Sequence, residues 1–239
     1  MNSDLSTVFS DCEKYCSDDL LQVVEFFGTP GVGKTYLSDT SYEYLRSSIN
    51  FTISKLPVNV GKMRRLNRVM TKMVSIFYII VVVPSVILSV ARLVGIFYSK
   101  RDHIFVKLVF NLLYVLGIIR FYKNKNQLLL MDQGIFQSIW SCIFYSDRTE
   151  YNPNLTTSLL LSIFSKIGSP KFLMVHVDAE EDNIKIRLSN RSIKGTSPLN
   201  TLNRKVIKRG LSATIAARDL LDYVAKKAPL FEIVDFAND

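Results

Sequence analysis

The apolar positions of the chain form short runs separated by longer segments of mixed polarity. Four runs have the length and residue types of buried β-strands, and they cover residues 21–27, 127–132, 171–177 and 231–235. The first run is followed by a glycine-rich loop and then by apolar residues at helical spacing, among them Leu37, Leu45 and Ile49. Strands that alternate with helices predict one α/β domain.

The middle of the chain is its most apolar part, and one interpretation of it is a soluble helical subdomain. This interpretation predicts three helices with a break at Pro84, because proline is accepted in the first turn of a helix and disfavoured inside one. The predicted helices cover residues 63–82, 84–98 and 104–122, within a helical insertion at residues 57–126.

The same region also has features of a membrane hairpin. Residues 73–91 form an uncharged stretch of 19 residues, long enough to cross a bilayer, and residues 104–119 form a second apolar stretch that could return. The return stretch is short and contains Lys107, which favours a soluble or surface-associated subdomain over an integral one. At the level of the sequence both interpretations stay open.

Positive charge is concentrated in the same region. The chain of 239 residues carries 30 basic and 21 acidic residues, a net charge of +9, and 48% of its residues are hydrophobic. Residues 51–126 hold 13 basic residues and 1 acidic residue, net +12, whereas residues 1–50 have a net charge of −5 and residues 127–239 of +2. The middle region therefore favours an anionic partner, either a phosphate-bearing or other small-molecule acceptor or an anionic membrane surface. Nucleic acid is disfavoured, since the aromatic residues lie inside the apolar runs rather than beside the basic ones.

Cysteine and histidine are too few for several kinds of site. The cysteines are Cys12, Cys16 and Cys142, and the histidines are His103 and His176. This excludes a disulfide framework and disfavours a zinc site or a Ser-His-Asp hydrolase. The acidic segment 1–19 is unlike a secretory signal, so we expect a cytoplasmic protein, with residues 63–122 as the part that would contact a membrane.

The most specific motif is the glycine-rich loop between the first strand and the first helix. Its sequence is G-x-x-x-x-G-K-T, and the predicted nucleotide-binding residues are Gly28, Thr29, Pro30, Gly31, Val32, Gly33, Lys34 and Thr35. Glycines let successive backbone N–H groups face phosphate oxygens, the lysine adds a mobile positive charge, and the threonine hydroxyl is a ligand for Mg²⁺. In this setting the motif predicts nucleotide binding.

Two further elements carry candidate catalytic groups. Asp132 ends the predicted strand at residues 127–132, where a carboxylate would bind Mg²⁺ or accept a proton from an acceptor hydroxyl. Arg187 and Arg191 follow the strand at residues 171–177 and are four residues apart, so on a helix they share one face and could bind polyphosphate. The alternative for these arginines is a solvated helix in which they pair with Glu180, Glu181 or Asp182.

The order of these elements resembles the P-loop kinases of the nucleoside-monophosphate and thymidylate kinase type. The resemblance rests on the loop at residues 28–35, the strand that ends in Asp132-Gln133-Gly134, the R-x-x-x-R pair and a last I-V-D strand. It implies a three-layer P-loop NTPase fold, with a parallel five-stranded sheet in the order 2-3-1-4-5 and a helical, apolar insertion. The second strand of that sheet is assigned to residues 50–55. It also implies a lid at residues 187–200 and residues 236–238 beside the nucleotide base.

The resemblance implies a single P-loop kinase-like domain over residues 1–239 that uses ATP and Mg²⁺. Lys34, Asp132, Arg187 and Arg191 would be its catalytic residues, and Thr35 and Asp132 would hold the metal. We therefore expect an enzyme that transfers the γ-phosphate of ATP to an unidentified small-molecule acceptor. The alternative is a membrane-associated P-loop ATPase or a nucleotide-dependent regulatory protein, in which residues 63–122 contact lipid or a partner.

Overall fold

The five predicted strands form one sheet in the computed structural model, which describes residues 21–48, 52–55, 62–125, 127–148, 150–192 and 204–238. The strands are β1 (Leu21–Phe27), β2 (Ile53–Lys55), β3 (Leu128–Met131), β4 (Lys171–Asp178) and β5 (Phe231–Ala237). All neighbouring strands pair in parallel, and their order is β2-β3-β1-β4-β5. The expected parallel five-stranded α/β sheet in the order 2-3-1-4-5 is confirmed. Residues 50 and 51 of the predicted second strand lie outside the described residues.

Eight helices connect these strands in the described part of the chain. They are α1 (Lys34–Ser48), α2 (Lys62–Val82), α3 (Ser85–Phe97), α4 (His103–Asn124), α5 (Ile135–Tyr145), α6 (Pro153–Lys166), α7 (Glu181–Ser192) and α8 (Arg204–Lys227). Helices α2, α3 and α4 occupy the apolar middle of the chain, in the ranges expected of a helical subdomain to within a few residues.

Both faces of the sheet are buried. Val24 and Phe26 point from one face of β1, and Val23, Glu25 and Phe27 point from the other, yet none of these side chains is more than 1% exposed. Helices therefore cover both faces, as a parallel sheet requires. Helix α5 lies on the face of Glu25, because its first backbone N–H groups bond to that carboxylate.

Helices α2 to α4 belong to the same apolar core as the sheet. The chain bends by 113° between α2 and α3, at Pro84, so residues 73–91 do not form one straight helix. Asp102 caps α4, since its carboxylate accepts hydrogen bonds from the backbone N–H groups of Ile104 at 2.9 Å and Phe105 at 3.2 Å. The proline and the cap explain where the long apolar region divides into separate helices.

One helix in the described part of the chain, α4, is long and apolar enough to cross a membrane, and half of its apolar window is buried inside the protein. The bent pair of α2 and α3 would be a second candidate if it were one broken span. Because core helices of soluble proteins reach the same length and hydropathy, this finding is weak support for a membrane hairpin.

Helices α2 and α4 run side by side in the same direction. The Lys72 ammonium lies 5.2 Å from the ring centroid of Tyr114, and one and a half turns further along, the rings of Tyr78 and Phe121 lie 6.0 Å apart. Between these pairs, a Cβ at Gly117 would overlap with the backbone carbonyl of Ser75. The missing side chain at Gly117 thus allows the two helix backbones to approach closely.

Replacement of Gly117 by alanine should destabilise the protein, although alanine favours a helix by about 1 kcal/mol over glycine. The added methyl group must push α2 away from α4, and overpacking of this kind costs about 1–3 kcal/mol. Chemical denaturation should therefore give a lower free energy of unfolding for Gly117→Ala than for the wild type.

The matched control is Gly95→Ala on α3, where the nearest neighbour of an added Cβ is the Arg101 guanidinium at 3.8 Å. With no overlap to relieve, this substitution should raise the free energy of unfolding by up to about 1 kcal/mol. Equal stabilisation by both alanines would contradict the close contact of α2 with α4.

Candidate functional site

The glycine-rich loop lies where β1 ends, at the carboxyl edge of the sheet. Gly33 has a φ of +102°, and a Cβ there would overlap with the side-chain amide of Asn238, so only glycine fits. The Val32 N–H donates to the Thr29 carbonyl at 3.3 Å, and the Leu37 N–H donates to the Gly33 carbonyl at 3.1 Å. The loop therefore leads directly into the first turn of α1.

Lys34 reaches back across this loop. Its ammonium donates hydrogen bonds to the carbonyl oxygens of Gly28 at 2.7 Å and Thr29 at 3.0 Å. A positive charge is thereby held against the loop backbone, at the N-terminus of α1. An anionic ligand could take over these contacts, because hydrogen bonds between two charged groups are stronger than those to a neutral carbonyl.

The structure brings Thr35 and Asp132 together. Strand β1 pairs with β3, with Glu25 in register with Met131, so the loop after β1 and the residue after β3 meet at one edge of the sheet. There the Thr35 hydroxyl donates a hydrogen bond to Asp132 Oδ2 at 2.9 Å. Two oxygen groups that lie 97 residues apart in sequence thus become neighbours.

Hydroxyl and carboxylate oxygens are ligands that suit Mg²⁺, which usually completes its shell with water and phosphate oxygens. Among the described residues, no group of three or more His, Cys, Asp or Glu could hold a metal by itself. The pair of Thr35 and Asp132 therefore fits a magnesium ion that arrives with a phosphate ligand rather than one held by the protein alone.

Arg187 reaches the loop from the opposite side. Its helix, α7, follows β4, the other neighbour of β1. The guanidinium donates to the Val32 carbonyl at 3.1 Å and to the Asn238 carbonyl at 3.0 Å. The loop thus lies between Asp132 on one side and Arg187 on the other. The side chain of Arg191 and residues 193–200 of the predicted lid lie outside the described residues.

The nearby acidic residues of α7 have another partner. Lys185 forms ion pairs with Glu181 at 3.1 Å and with Asp182 at 2.9 Å. Arg187 points instead to the loop, where Ile184 and Leu188 of the same helix also pack against Gly31. The ion pairs with Glu181 and Asp182 that were the alternative for Arg187 are therefore formed by Lys185.

The chain returns to the loop after β5. The backbone N–H of Asn238 donates to the Asp178 carbonyl at 2.8 Å, and its side-chain amide donates to the Val32 carbonyl. The end of β5 thus lies against the loop, where the sequence predicts the nucleotide base.

Lys55 at the end of β2 is a further charge at this edge that sequence reasoning missed. It forms an ion pair with Asp39 of α1 and lies 5.9 Å from the ring centroid of Tyr42. Burial lowers the pKa of Lys55, and the negative charge of Asp132 opposes that shift. The predicted second strand ends at Lys55, and the expected strand order puts that strand beside β3. The sequence could therefore have placed Lys55 at this edge.

A buried polar network ties the loop to α8, and no local pattern in the sequence indicates it. The hydroxyls of Thr29 and Thr214 are 2.7 Å apart, and the indole N–H of Trp140 donates to the Thr214 hydroxyl at 2.9 Å. Thr214 in turn donates to the Gly210 carbonyl at 3.1 Å. Trp140 is the one tryptophan of the chain, so its indole reports on the surroundings of Thr29.

Glu25 is a buried acid in the central strand, directly behind the site. Its two carboxylate oxygens accept hydrogen bonds from the backbone N–H groups of Ile135 at 2.8 Å and Gln137 at 2.9 Å, at the start of α5. Burial raises the pKa of Glu25 to about 7, and the helix N–H groups oppose this shift. In the sequence, Glu25 could have been singled out because it is the one charged residue inside the apolar run Val-Val-Glu-Phe-Phe.

No protein-family model matches this chain, and no curated protein matches its sequence. The resemblance to P-loop kinases therefore depends on the residues themselves and on how the fold arranges them.

The raised pKa of Glu25 should make the stability of the protein depend on pH. The folded state keeps the proton up to about pH 7, whereas the unfolded chain loses it near the ordinary value of 4.5. The contribution of Glu25 is therefore most favourable below pH 4.5 and is lost as the pH rises through 7, by ~3 kcal/mol at about 1.4 kcal/mol per pKa unit.

Glu25→Gln removes this titration and keeps one acceptor oxygen for the helix. Urea denaturation of both proteins between pH 4.5 and 8 should show the wild type losing free energy of unfolding relative to the variant as the pH rises. Other titratable groups contribute equally to the free energy of unfolding of both proteins, so their effects cancel in the comparison. A difference that stays constant over this range would show that Glu25 does not titrate there.

Proposed function

We propose that this chain is a P-loop kinase that uses ATP and Mg²⁺ to phosphorylate a small-molecule acceptor. The hydrogen bond between the Thr35 hydroxyl and Asp132 Oδ2, at 2.9 Å, is the observation that carries the proposal. It joins the last residue of the phosphate-loop motif to the carboxylate after the neighbouring strand, and these oxygens suit a metal bound to nucleotide phosphates. A glycine-rich turn that arose by chance has no reason to meet such a carboxylate.

The loop residues would bind the donor. Residues 28–35 supply backbone N–H groups and the N-terminus of α1, both of which favour anions. Lys34 would exchange its contacts with the Gly28 and Thr29 carbonyls for contacts with the phosphates. Arg187, already hydrogen-bonded to the Val32 carbonyl, adds a second positive charge at the same loop. Both would stabilise the negative charge of the transferring phosphoryl group.

Asp132 and Lys55 would act on the acceptor side. Mg²⁺, when bound beside Thr35 and Asp132, would neutralise charge on the donor phosphates. The Asp132 carboxylate can also accept the proton of an acceptor hydroxyl. Lys55 lies close enough to Asp132 for their charges to interact, and it belongs to the strand on the far side of β3 from the loop. Its charge favours an acceptor that is itself anionic, such as a phosphate ester.

A second candidate function is a membrane-associated P-loop ATPase or nucleotide-dependent regulatory protein. It is favoured by large apolar side chains that α2 exposes, such as Phe77 and Val81, which a kinase for small molecules does not require. The two candidates differ in the fate of the γ-phosphate, which a kinase transfers to an acceptor and an ATPase releases to water.

Loss of the Lys34 charge should abolish most of the transfer. The purified chain, incubated with Mg²⁺, ATP labelled in the γ-phosphate and a panel of nucleotide, sugar and lipid acceptors, should yield a labelled acceptor. Lys34→Ala should lower the rate by about 10²–10³-fold, because it removes a charge that stabilises the transition state. Radiometric detection of product measures the effect.

The matched control is Lys226→Ala near the end of α8. Lys226 precedes β5, so it lies at the amino edge of the sheet, away from the loop, and its side chain is exposed. The control should transfer phosphate at the wild-type rate. Release of the label only as inorganic phosphate would favour the ATPase, and an undiminished rate in Lys34→Ala would contradict P-loop chemistry altogether.

Nucleotide binding should change the fluorescence of Trp140, because its indole bonds to Thr214 and Thr214 bonds to Thr29 of the loop. Titration with ATP and Mg²⁺ should therefore shift the intensity or wavelength of the tryptophan emission. Thr214→Val breaks this connection with little change of shape, so most of the signal should disappear.

Calorimetric titration provides the reference for that experiment. Loss of a network hydrogen bond costs about 0.5–1.5 kcal/mol, so the affinity of Thr214→Val for ATP should fall by no more than about tenfold. An emission change of equal size in the wild type and Thr214→Val would show that the signal does not pass through Thr214.

A further inference from the structure

The outward side of α2 carries a row of large apolar side chains. Each member lies three or four residues from at least one other member, so they lie along one side of the helix, and each is between 55% and 70% exposed. We name this row the apolar face: Met70, Met73, Val74, Phe77 and Val81. Soluble proteins expose single apolar side chains often, but a continuous row of five large ones is typical of a binding surface.

The apolar face is not a surface left open by a poorly packed helix. The other side of α2 buries Ile76 and Ile79 and meets α4 through the close contact of Ser75 with Gly117. The hydroxyl of Tyr78 also accepts a hydrogen bond from the side-chain amide of Asn124, at 3.0 Å. Helix α2 is therefore docked on the protein by one side while the opposite side, equally apolar, has no packing role in the described structure.

Helix α4 exposes apolar side chains of its own. Val106 and Phe110 are both exposed, and they lie in line with Gly117 on α4, the residue that faces α2. Since α2 and α4 run in the same direction, Val106 and Phe110 lie beside the first turns of α2. They lie on the side of α4 that faces α2, whereas the apolar face points away from α4, so these two side chains are separate from the apolar face.

The charge around the apolar face indicates what covers it. Five basic residues occupy the first three turns of α2: Lys62, Arg64, Arg65, Arg68 and Lys72. No acidic residue occurs in the sequence between Glu43 and Asp102. Lys107 and Lys125 of α4 and its C-terminal boundary are exposed as well. The partner must therefore offer hydrocarbon and negative charge together.

An anionic bilayer offers both. Nucleic acid supplies the charge without the hydrocarbon, and a second copy of this chain would bring two strongly positive regions against each other. Amphipathic helices with large apolar residues on one side and many Lys and Arg residues bind at the boundary between lipid headgroups and acyl chains.

We propose that the apolar face of α2 docks this protein on the surface of an anionic bilayer. Helix α2 lies in the plane of the interface and does not cross, because its inner side stays packed on α4 and the 113° bend after it returns the chain to the protein. The proposal depends on this surface alone and holds whether or not the chain transfers phosphate.

Sedimentation of the full chain with lipid vesicles tests the proposal. The protein should bind vesicles of phosphatidylcholine mixed with phosphatidylglycerol, bind pure phosphatidylcholine more weakly, and lose affinity as salt screens the charge. The double variant Phe77→Ser and Val81→Ser should weaken binding by about tenfold or more, since it removes two inserted apolar side chains.

The matched control is Leu155→Ser, because Leu155 is a large apolar residue on α6 that is also more than half exposed. It should bind vesicles as the wild type does, and thermal unfolding followed by circular dichroism should show that all variants are folded. Undiminished binding by the double variant, or no binding of the wild type to anionic vesicles, would overturn the proposal. So would wild-type self-association that the double variant abolishes, because a second copy would then be the occupant. Extraction from native membranes only by detergent, and not by high salt or carbonate, would show a spanning segment and overturn the interfacial position.

Discussion

Parallel pairing of β1 with β3 on one side and with β4 on the other decides where every group of the candidate site lies. Parallel strands all end at one edge of a sheet, so the segments that follow β1, β3 and β4 emerge side by side. Thr35 therefore meets Asp132 across 97 residues of sequence, and Arg187 meets Val32 across 155. The insertion of α2 to α4 leaves this arrangement intact, because the chain returns to the sheet at β3 after it.

The same arrangement buries an acidic side chain, and its desolvation costs folding free energy. Glu25 sits in the central strand with helices over both faces, and desolvation raises its pKa to about 7. Yet its oxygens bind the N–H groups of Ile135 and Gln137, which follow Asp132 by only a few residues. A Cβ at Gly134 would overlap with the same carboxylate. Glu25 thus fixes the turn that carries Asp132 to the strand that carries the loop, and part of the folding free energy is spent on that position.

The sequence predicted the elements of the site better than their contacts. The loop, Asp132 and the strand order follow from local patterns and from the resemblance, because each is encoded within one short segment. The acceptors of Arg187 are backbone carbonyls of Val32 and Asn238, and no side-chain pattern marks a carbonyl. Thr214 and Trp140 reach the loop only through the packing of α5 against α8, which depends on contacts distant in sequence. Periodicity does not distinguish the two sides of α2, because both are apolar. The burial of Ile76 and Ile79 and the contact at Gly117 show which side faces inward.

The apolar and basic helices α2 and α4 have a defined orientation relative to the candidate site. Helix α4 ends just before β3 begins, at the amino edge of the sheet, and its 22 residues extend about 33 Å from there. Helix α2 runs parallel to it, with Tyr78 beside Asn124, so α2 also ends near the amino edge. The basic first turns of α2 and the exposed Val106 and Phe110 therefore lie toward the carboxyl edge, where the loop and Asp132 are. A bilayer bound to the apolar face would lie along the length of α2, beside the molecule, with the basic first turns of α2 nearest the edge that holds the loop and Asp132.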